Sequence, residues 1–457
     1  MTSPQPPQRD PRIERLLNAP IVPTVLRLAA PGIVLVAFQS AVSITDAYFV
    51  GRLGTVPLAG LSLVFPLIML LQMMSAGAMG GGVSSAIARS LGAGKEAVAR
   101  SLVVHALVIG IVLGLVFTVC ILAAGPSIYL ALGGKESVLA EALAYSNILF
   151  AGAVLVWLAN TLASVLRGSG NMTVPAVVLI AATLLHIPLS GALVLGAGPL
   201  PRLGIAGAAV AYLINFAFAS LAMLAYVLRP GSRLRPSRAD LRLDSRMFWE
   251  ILRVGAISSL NAMQTVLTAV LLTGFVGTYG TAALAGYGVG VRLELMQIPL
   301  VFAIGQAMVA HIGTNIGAGH VERAKRIAWT GATICAGIGL AIGAFVAAFP
   351  LAWAGLFSSD PAVLEACSQY LRRVAPFYPF LSVGLALYFA SQGAGRMAMP
   401  LIGGGLRLAI AAIGGYAAVK AGAPVTAVFL AISAAMFVYG TFTATAVFRA
   451  NWATVPR

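Results

Sequence analysis

Charged side chains are scarce in this sequence. Asp, Glu, Lys and Arg make up 9% of its 457 residues, and only 13 residues are acidic, whereas soluble domains carry roughly 25% charged residues. This scarcity excludes a soluble enzyme. Hydrophobic residues make up 60% of the chain, and a helix that crosses a bilayer needs about 20 of them. The composition therefore predicts an all-α, polytopic membrane protein.

Cysteine pairs and the motifs of nucleotide or metal sites are also lacking. Cys120, Cys335 and Cys367 are isolated, without CxxC or Cys/His spacing, so neither a disulfide framework nor a metal site is expected. The sequence contains no GxxxxGK[ST] loop for ATP phosphates. It also lacks His, Asp and Glu at metal or nucleophile spacing. We therefore expect a protein that is not an enzyme and that has no bound cofactor.

Apolar runs between glycine, proline and charged breaks predict twelve transmembrane helices. Their boundaries are good to a few residues. The predicted spans lie near residues 24–50, 56–86, 101–124, 139–165, 172–197, 204–228, 249–276, 281–311, 327–350, 361–390, 397–420 and 424–448.

The net charge of +16 comes from basic residues that sit between the spans, so it does not indicate a nucleic acid partner. Most of them fall on the side of the N-terminal tail, and the positive-inside rule then places both termini in the cytoplasm. An Arg-rich linker near anionic lipid is expected at the midpoint of the chain. The predicted domains are a cytoplasmic tail at 1–23, a bundle at 24–228, the linker at 229–248, a second bundle at 249–448 and a cytoplasmic tail at 449–457.

The two halves of the sequence repeat each other at an offset of 225 to 226 residues. Each match occupies the same place relative to the spans of its half, which chance does not readily produce. The protein is therefore expected to be two pseudo-symmetric six-helix bundles. The matching elements are Leu53-Gly54-Thr55 with Tyr279-Gly280-Thr281, Gly92-Ala93-Gly94 with Gly317-Ala318-Gly319, Gly168-Ser169-Gly170 with Gly393-Ala394-Gly395, and Arg27 with Arg253.

An even number of spans in each half gives both halves the same orientation in the membrane. Parallel repeats of this kind occur in secondary transporters, whose substrate site lies between the repeats. Alternating access follows if the two bundles rock against each other. Because no ATP-binding element is present, an ion gradient is the expected energy source.

Four stretches resemble the multidrug and toxic compound extrusion (MATE) family. They are residues 46–55 (DAYFVGRLGT), 88–94 (ARSLGAG), 166–172 (LRGSGNM) and 313–319 (GTNIGAG). The resemblance extends from residue 24 to 448 and implies a twelve-helix antiporter. Such a protein exports organic cations or other amphipathic compounds in exchange for protons or sodium ions. A monomer in the inner membrane of a prokaryote, with lipids around it, is implied as well.

Only Asp46 and Glu294 are acids well inside apolar spans, and such residues are functional candidates because a charge in lipid is unfavourable. Asp46 shares a helical face with Gln39 and Ser43, which predicts a polar stripe turned away from lipid. A carboxylate there can alternate between a protonated state and an ionised state. A structural capping role at the outer end of the span is the alternative. In the MATE family the matching Asp is an ion-site residue.

The sequence departs from both ion sites of the family that it resembles. DinF-like, proton-coupled members carry Asn and then Asp four residues later in the fifth span, where this chain has His186 and Ser190. The Glu and Asp of sodium-coupled, NorM-like members are missing from the seventh and tenth spans. An Asp46/His186 pair is one way to replace the two-acid proton site, because histidine exchanges a proton near neutral pH. A packed, neutral histidine bonded to a neighbouring oxygen is the other.

Candidate substrate-binding residues lie on the polar faces of other spans. Glu294 and Gln297 share a face of the eighth span and suit a cationic drug, although Glu294 could instead form a structural pair with Arg292 or Arg407. Asn160, Asn261 and Gln264 are further candidates on the fourth and seventh spans, where hydrogen bonding between helices is the alternative.

The main functional hypothesis is a proton-coupled exporter of organic cations, with sodium coupling second. The rival is a flippase of the same superfamily that moves a lipid-linked anionic substrate. Such a substrate calls for several basic residues within the spans, where the sequence offers mainly Arg292 and Arg407.

Overall fold

The computed structural model describes residues 10–197 and 200–452. Residues 1–9 and 453–457, which belong to the two predicted tails, and residues 198–199 lie outside these ranges. The described chain is helical, without a β-strand. Its α-helices are α1 Pro11–Asn18, α2 Ile21–Gly51, α3 Thr55–Gln72, α4 Gly80–Gly92, α5 Glu96–Ala131, α6 Glu136–Ala151, α7 Ala153–Gly168, α8 Thr173–Leu195, α9 Ile205–Leu228, α10 Ser245–Gly277, α11 Thr281–Gly317, α12 Val321–Ala348, α13 Pro350–Ala354, α14 Pro361–Val374, α15 Tyr378–Ala394, α16 Ala398–Lys420 and α17 Val425–Arg449.

The helices confirm the predicted twelve-span, all-α architecture. Within the described ranges, 11 helical segments are long and apolar enough to cross a membrane, and the pair α6 and α7, bent by 49°, completes a twelfth. The bend lies at Gly152, where a Cβ atom would collide with the side chain of Leu213. A larger residue at this break would therefore require the side chain of Leu213 to move.

The second span contains a π-helical turn, Met73–Met79, between α3 and α4. A π-helical segment inserts one residue into the α-helical repeat and often marks a functional position. Here the segment includes Ser75, which is buried and donates its hydroxyl to the carbonyl oxygen of Leu71 at 2.7 Å.

The described chain forms two compact units. The first takes in the chain up to Arg15 and Ala30–Gly255, and its core surrounds the buried side chains of Trp157, Tyr145 and Phe150. The second consists of Leu16–Ala29 with the chain from Ala256 onward, and its core surrounds Tyr370, Tyr378, Phe429 and Tyr439. Each core is a cluster of apolar and aromatic side chains packed between helices.

These units differ from the predicted domains at two places. The first part of α2, up to Ala29, groups with the second unit, and so does the end of α1. There the amide of Asn315 donates to the carbonyl oxygen of Leu16 at 3.0 Å. Helix α1 itself lies in the predicted N-terminal tail and buries Ile13, Leu16 and Leu17. A helix of eight residues is too short to be recognised from the run of apolar residues that marks a span.

The Arg-rich linker is docked onto the first unit rather than only solvated. Arg233 forms an ion pair with Glu96 at 2.8 Å, and Arg100 forms one with Asp240 at 3.2 Å. Asp240 belongs to a 3₁₀ turn, Arg238–Leu241, and accepts hydrogen bonds from the hydroxyl and backbone amide of Ser237 at 2.6 and 2.8 Å. Burial raises the pKa of Asp240, but these hydrogen bonds and Arg100 outweigh it, and the net pKa lies below its ordinary value.

Candidate functional site

The carboxylate of Asp46 is the centre of a buried polar cluster in the first unit. It lies on α2 and is 6% exposed, while His186 and Ser190 on α8 are both 0% exposed. His186 Nε2 lies 2.9 Å from Asp46 Oδ1 and 3.1 Å from Oδ2. The hydroxyl of Ser190 donates to Oδ1 at 2.6 Å. The structure thus brings together three of the five residues that the sequence indicates for ion coupling.

The spacing of His186 and Ser190 explains why they meet the same carboxylate. Residues four apart lie one above the other on a helix, so both side chains leave α8 toward Asp46. A carboxylate that accepts two short hydrogen bonds is stabilised in its ionised form. Within the described chain, His186 Nδ1 is buried and has no hydrogen-bond partner. A proton on Nδ1 would therefore be an unsatisfied buried donor, which is unfavourable by about 1–3 kcal/mol.

Gln39 and Ser43 do not contact the carboxylate of Asp46 among the described residues, so their part in ion coupling stays a prediction. Both residues are exposed, and neither is among the hydrogen-bond partners of the Asp46 carboxylate within the described chain. Gln39 is seven residues away, which corresponds to roughly 10 Å along the helix axis. Ser43 is three residues away and points about 60° around the helix from Asp46. Their position on the same helix therefore does not by itself produce a direct contact with Asp46.

Asn160, which the sequence suggests for substrate binding, is engaged inside the first unit. Its amide donates to Gln72 Oε1 at 3.0 Å and to Ser75 Oγ at 2.8 Å. Gln72 in turn donates to the hydroxyl of Tyr212 at 2.8 Å. The ring centroid of Tyr212 lies 6.3 Å from that of His186, edge to face. A chain of polar side chains thus runs from the π-helical turn to the ring beside the Asp46 cluster.

Neither Gln72 nor Tyr212 was predicted from the sequence as part of a site. Each is a polar side chain within an otherwise apolar span, which is the signal that could have drawn attention to it. Their partners are far away in the sequence: Gln72 and Tyr212 are 140 residues apart. Spacing along one helix carries no information about such contacts.

In the second unit Glu294 is paired with a basic side chain. Its Oε1 lies 3.6 Å from Nη2 of Arg407 on α16, and the hydroxyl of Tyr370 donates to its Oε2 at 3.4 Å. Glu294 is 8% exposed. This geometry agrees with the structural-pair interpretation rather than with a carboxylate left open for a cation. Arg292, the other partner considered, lies over the ring of Phe357 at 5.1 Å.

The other candidate substrate residues of the second unit separate into two places. The amide of Gln297 donates to the hydroxyl of Ser382. Asn261 and Gln264 instead line a polar cavity of ≈ 10 Å³ together with Thr265, Thr268, Gly404, Arg407 and Tyr439. A cavity of this size holds about one water molecule. Within the described residues, no three His, Cys, Asp or Glu side chains are grouped as metal ligands.

The sequence profile of the MatE family matches residues 31–191 and residues 257–417. The two matched segments begin at residues 31 and 257, so their offset of 226 residues equals that of the internal repeat. Together they cover more than half of the chain, which is sufficient to assign the family.

The chain is similar in sequence to several bacterial proteins that are named as transporters or multidrug resistance proteins. A protein named FAD transporter from Shewanella oneidensis is 29% identical over 82% of this chain and 82% of its own length. Probable multidrug resistance protein NorM from Thermotoga maritima is 24% identical, over 83% of this chain and 81% of its own. Probable multidrug resistance protein YoeA from Bacillus subtilis is 30% identical over 63% of each chain.

Solved structures share the fold over nearly the whole chain. A MATE protein in a bent conformation superposes with a TM-score of 0.88 at 25% identity, covering 96% of this chain and 98% of its own. A transporter of the MOP superfamily from Pyrococcus furiosus, described as having a binding pocket of reverse polarity, superposes with a TM-score of 0.87 at 25% identity, covering 97% and 100%. These likenesses support a multi-span protein of a prokaryotic plasma membrane. Because the family profile covers both halves of the sequence, the chain belongs to the MATE family of membrane transporters.

Proposed function

We propose that this transporter exports organic cations and amphipathic compounds in exchange for protons, by alternating access between its two bundles. The observation that carries the proposal is the buried Asp46 carboxylate, held by His186 Nε2 and the Ser190 hydroxyl. Both termini are proposed to lie in the cytoplasm, as the distribution of basic residues favours. The protein is proposed to act as a monomer, without a cofactor other than the coupling ion.

The groups around Asp46 favour a proton over a sodium ion. Hard cations prefer several oxygen ligands, whereas the hydrogen-bond partners of this carboxylate are one imidazole nitrogen and one hydroxyl. A hydrogen bond that His186 Nε2–H donates stabilises the ionised carboxylate. Ser190 can reverse its hydroxyl and accept when Asp46 carries the proton.

In this mechanism Asp46 carries the proton and His186 remains a neutral donor. A second proton on the imidazole would sit on Nδ1, which has no acceptor among the described residues. Protonation of Asp46 therefore changes the charge of the cluster from negative to neutral, and the new O–H of Asp46 can donate to the hydroxyl oxygen of Ser190. That change of charge beside Tyr212 is what would bias the first unit between two states.

Relatives named as multidrug resistance proteins support drug-like substrates. A second candidate substrate class is an aromatic compound with an anionic group. Arg407 lines the polar cavity of the second unit, and a relative is named FAD transporter. The pairing of Arg407 with Glu294 at 3.6 Å leaves other guanidinium donors for a substrate. The flippase hypothesis needs still more basic groups in the spans and is the weaker alternative.

Efflux of ethidium from proteoliposomes tests the proposal. A proton gradient and a sodium gradient are imposed in turn on the wild type, on Asp46→Asn and on the control Glu322→Gln, an exposed acid in the first turn of α12. We expect proton-driven efflux in the wild type and the control, and its loss in Asp46→Asn. Efflux driven only by sodium, or undiminished in Asp46→Asn, contradicts proton coupling at this site.

The two substrate classes are separated in the same vesicles by FAD uptake. Uptake that depends on Arg407, together with no ethidium efflux under either gradient, would favour the anionic aromatic class. Failure of both compounds would favour the flippase hypothesis.

A further inference from the structure

A large open cavity lies at one end of the first unit, away from the Asp46 cluster. Its volume is ≈ 1410 Å³, and its walls come from four segments of the chain. These are the start of α1, the connector between α4 and α5, the connector between α7 and α8, and the end of α9 with the linker that follows. Each of these segments precedes the first span or follows an even-numbered one, so all four lie on the same side of the membrane.

The lining of this cavity is strongly basic. The lining contains two acidic side chains, Asp10 and Glu96, and six basic ones. The basic lining residues are Arg12, Arg15, Lys95, Arg100, Arg229 and Arg233. An excess of one charge in a concave surface concentrates counter-ions there.

Two of the six basic groups are neutralised by carboxylates. Arg233 pairs with Glu96 at 2.8 Å and approaches Asp10 at 3.9 Å. Arg100 pairs with Asp240 at 3.2 Å. These ion pairs use all the acids of the lining, and they fix the linker against the start of α5.

Arg12 and Arg229 are held by a tyrosine instead of by an acid. The guanidinium of Arg229 lies over the ring of Tyr226, 3.9 Å from its centroid. The hydroxyl of Tyr226 accepts a hydrogen bond from Asn171 Nδ2 at 3.1 Å, and the guanidinium of Arg12 lies near the same hydroxyl. Within the described chain, neither arginine has a carboxylate within ion-pair distance. Stacking on a ring orients a guanidinium without using its N–H donors.

We propose that this cavity binds a phosphate-bearing anion between Arg12 and Arg229. A guanidinium presents its donors as a planar fork that matches the oxygens of a phosphate group. Basic pockets between helices on the cytoplasmic side of membrane proteins take lipid phosphate head groups. The ligand is the head group of an anionic phospholipid or a free phosphate compound, because both present the same chemistry to the two arginines.

The positive-inside rule alone does not account for this arrangement. That rule explains why basic residues lie on this side, but it does not require two of them to meet on one tyrosine. Arg242 and Arg246 of the linker are exposed, as Arg12 and Arg229 are, but they do not line the cavity. They provide a control with the same change of charge.

The test uses the full chain in nanodiscs and two probes. Inorganic phosphate is titrated against protein in phosphatidylcholine discs at constant ionic strength, and binding is read as a rise in the thermal midpoint. In the second arm, native mass spectrometry counts phosphatidylglycerol molecules that remain on protein taken from mixed discs. The variants are Arg12→Gln with Arg229→Gln, and the control Arg242→Gln with Arg246→Gln.

We expect the wild type and the control variant Arg242→Gln/Arg246→Gln to bind at least one probe. The cavity variant Arg12→Gln/Arg229→Gln should bind that probe at least roughly tenfold more weakly. Binding of phosphatidylglycerol alone identifies a lipid source, and binding of inorganic phosphate identifies a soluble one. No binding of either probe, or equal loss in the two pairs, overturns the proposal. If the cavity variant does not fold, the test uses Arg12→Lys with Arg229→Lys, which keeps both positive charges but removes the planar guanidinium donors. Undiminished binding in that variant would refute the proposed phosphate site.

Discussion

Replacing His186 by phenylalanine tests how Asp46 is held in its ionised state. The change keeps an aromatic ring in the buried position and removes the Nε2 donor that lies 2.9 Å from Asp46 Oδ1. The carboxylate then has only the hydroxyl of Ser190, at 2.6 Å. The ionised state of the cluster is therefore less stable in the variant than in the wild type.

The size of the effect follows from the lost hydrogen bond. A hydrogen bond to a charged group contributes about 1.5–3 kcal/mol, and 1.36 kcal/mol corresponds to one pH unit of a proton equilibrium. We therefore expect the pH at which proton-driven efflux is half-maximal to rise by about 1–2 units in His186→Phe. The maximal rate should change less than this midpoint, because Asp46 itself is intact.

The assay is ethidium efflux from proteoliposomes over a range of internal pH at a constant proton gradient. His186→Gln is the informative companion, since its amide can donate to Asp46 but does not take up a proton. If His186 acts as a donor, this variant should recover most of the wild-type profile. His105→Asn is the control, because this buried histidine has other partners, Ser101 O at 2.7 Å and the backbone amide of Asp244 at 2.8 Å. An unchanged profile in His186→Phe would refute the reasoning, and an equal shift in His186→Gln would show that the imidazole itself exchanges the proton.

Three further changes test the remaining polar contacts. Asp240→Asn should lower the thermal midpoint of unfolding at pH 7. Because the pKa of Asp240 is lowered in the folded protein, the ionised carboxylate stabilises the fold above roughly pH 4, and this stabilisation is lost as the pH falls through the folded pKa. The thermal midpoints of the wild type and the variant should therefore converge at acidic pH. Glu250→Gln removes the carboxylate 3.2 Å from the buried Arg89 and should reduce stability by about 1–3 kcal/mol, measured by chemical unfolding; an unchanged midpoint would mean that the ion pair contributes nothing. Glu294→Gln should destabilise the second unit by leaving Arg407 without its carboxylate, yet keep proton-driven efflux, and loss of coupling in a folded variant would assign Glu294 to the ion pathway.

The sequence alone was sufficient for the number and the approximate ends of the spans. Lipid solvation acts on each helix separately, so length and apolar composition determine whether a segment crosses the membrane. The internal repeat and the isolation of Asp46 among apolar residues can also be recognised from the sequence alone. The short helix α1 and the docked linker were not predicted, since they are stabilised by contacts with other segments rather than by composition.

Only the tertiary structure decided which polar side chains meet. Asp46 and His186 are 140 residues apart, and their pairing was one of two interpretations open to the sequence. From the sequence, Gln39 and Ser43 were expected beside Asp46, but in the structure both are exposed. Asn160 and Glu294 were candidates for substrate binding, but Asn160 donates a hydrogen bond to Gln72 and Glu294 pairs with Arg407. The rotation of each helix about its axis, and the neighbour that it faces, depend on the packing of many side chains at once. Those two quantities determine every contact between helices, and neither is encoded in the spacing along a single helix.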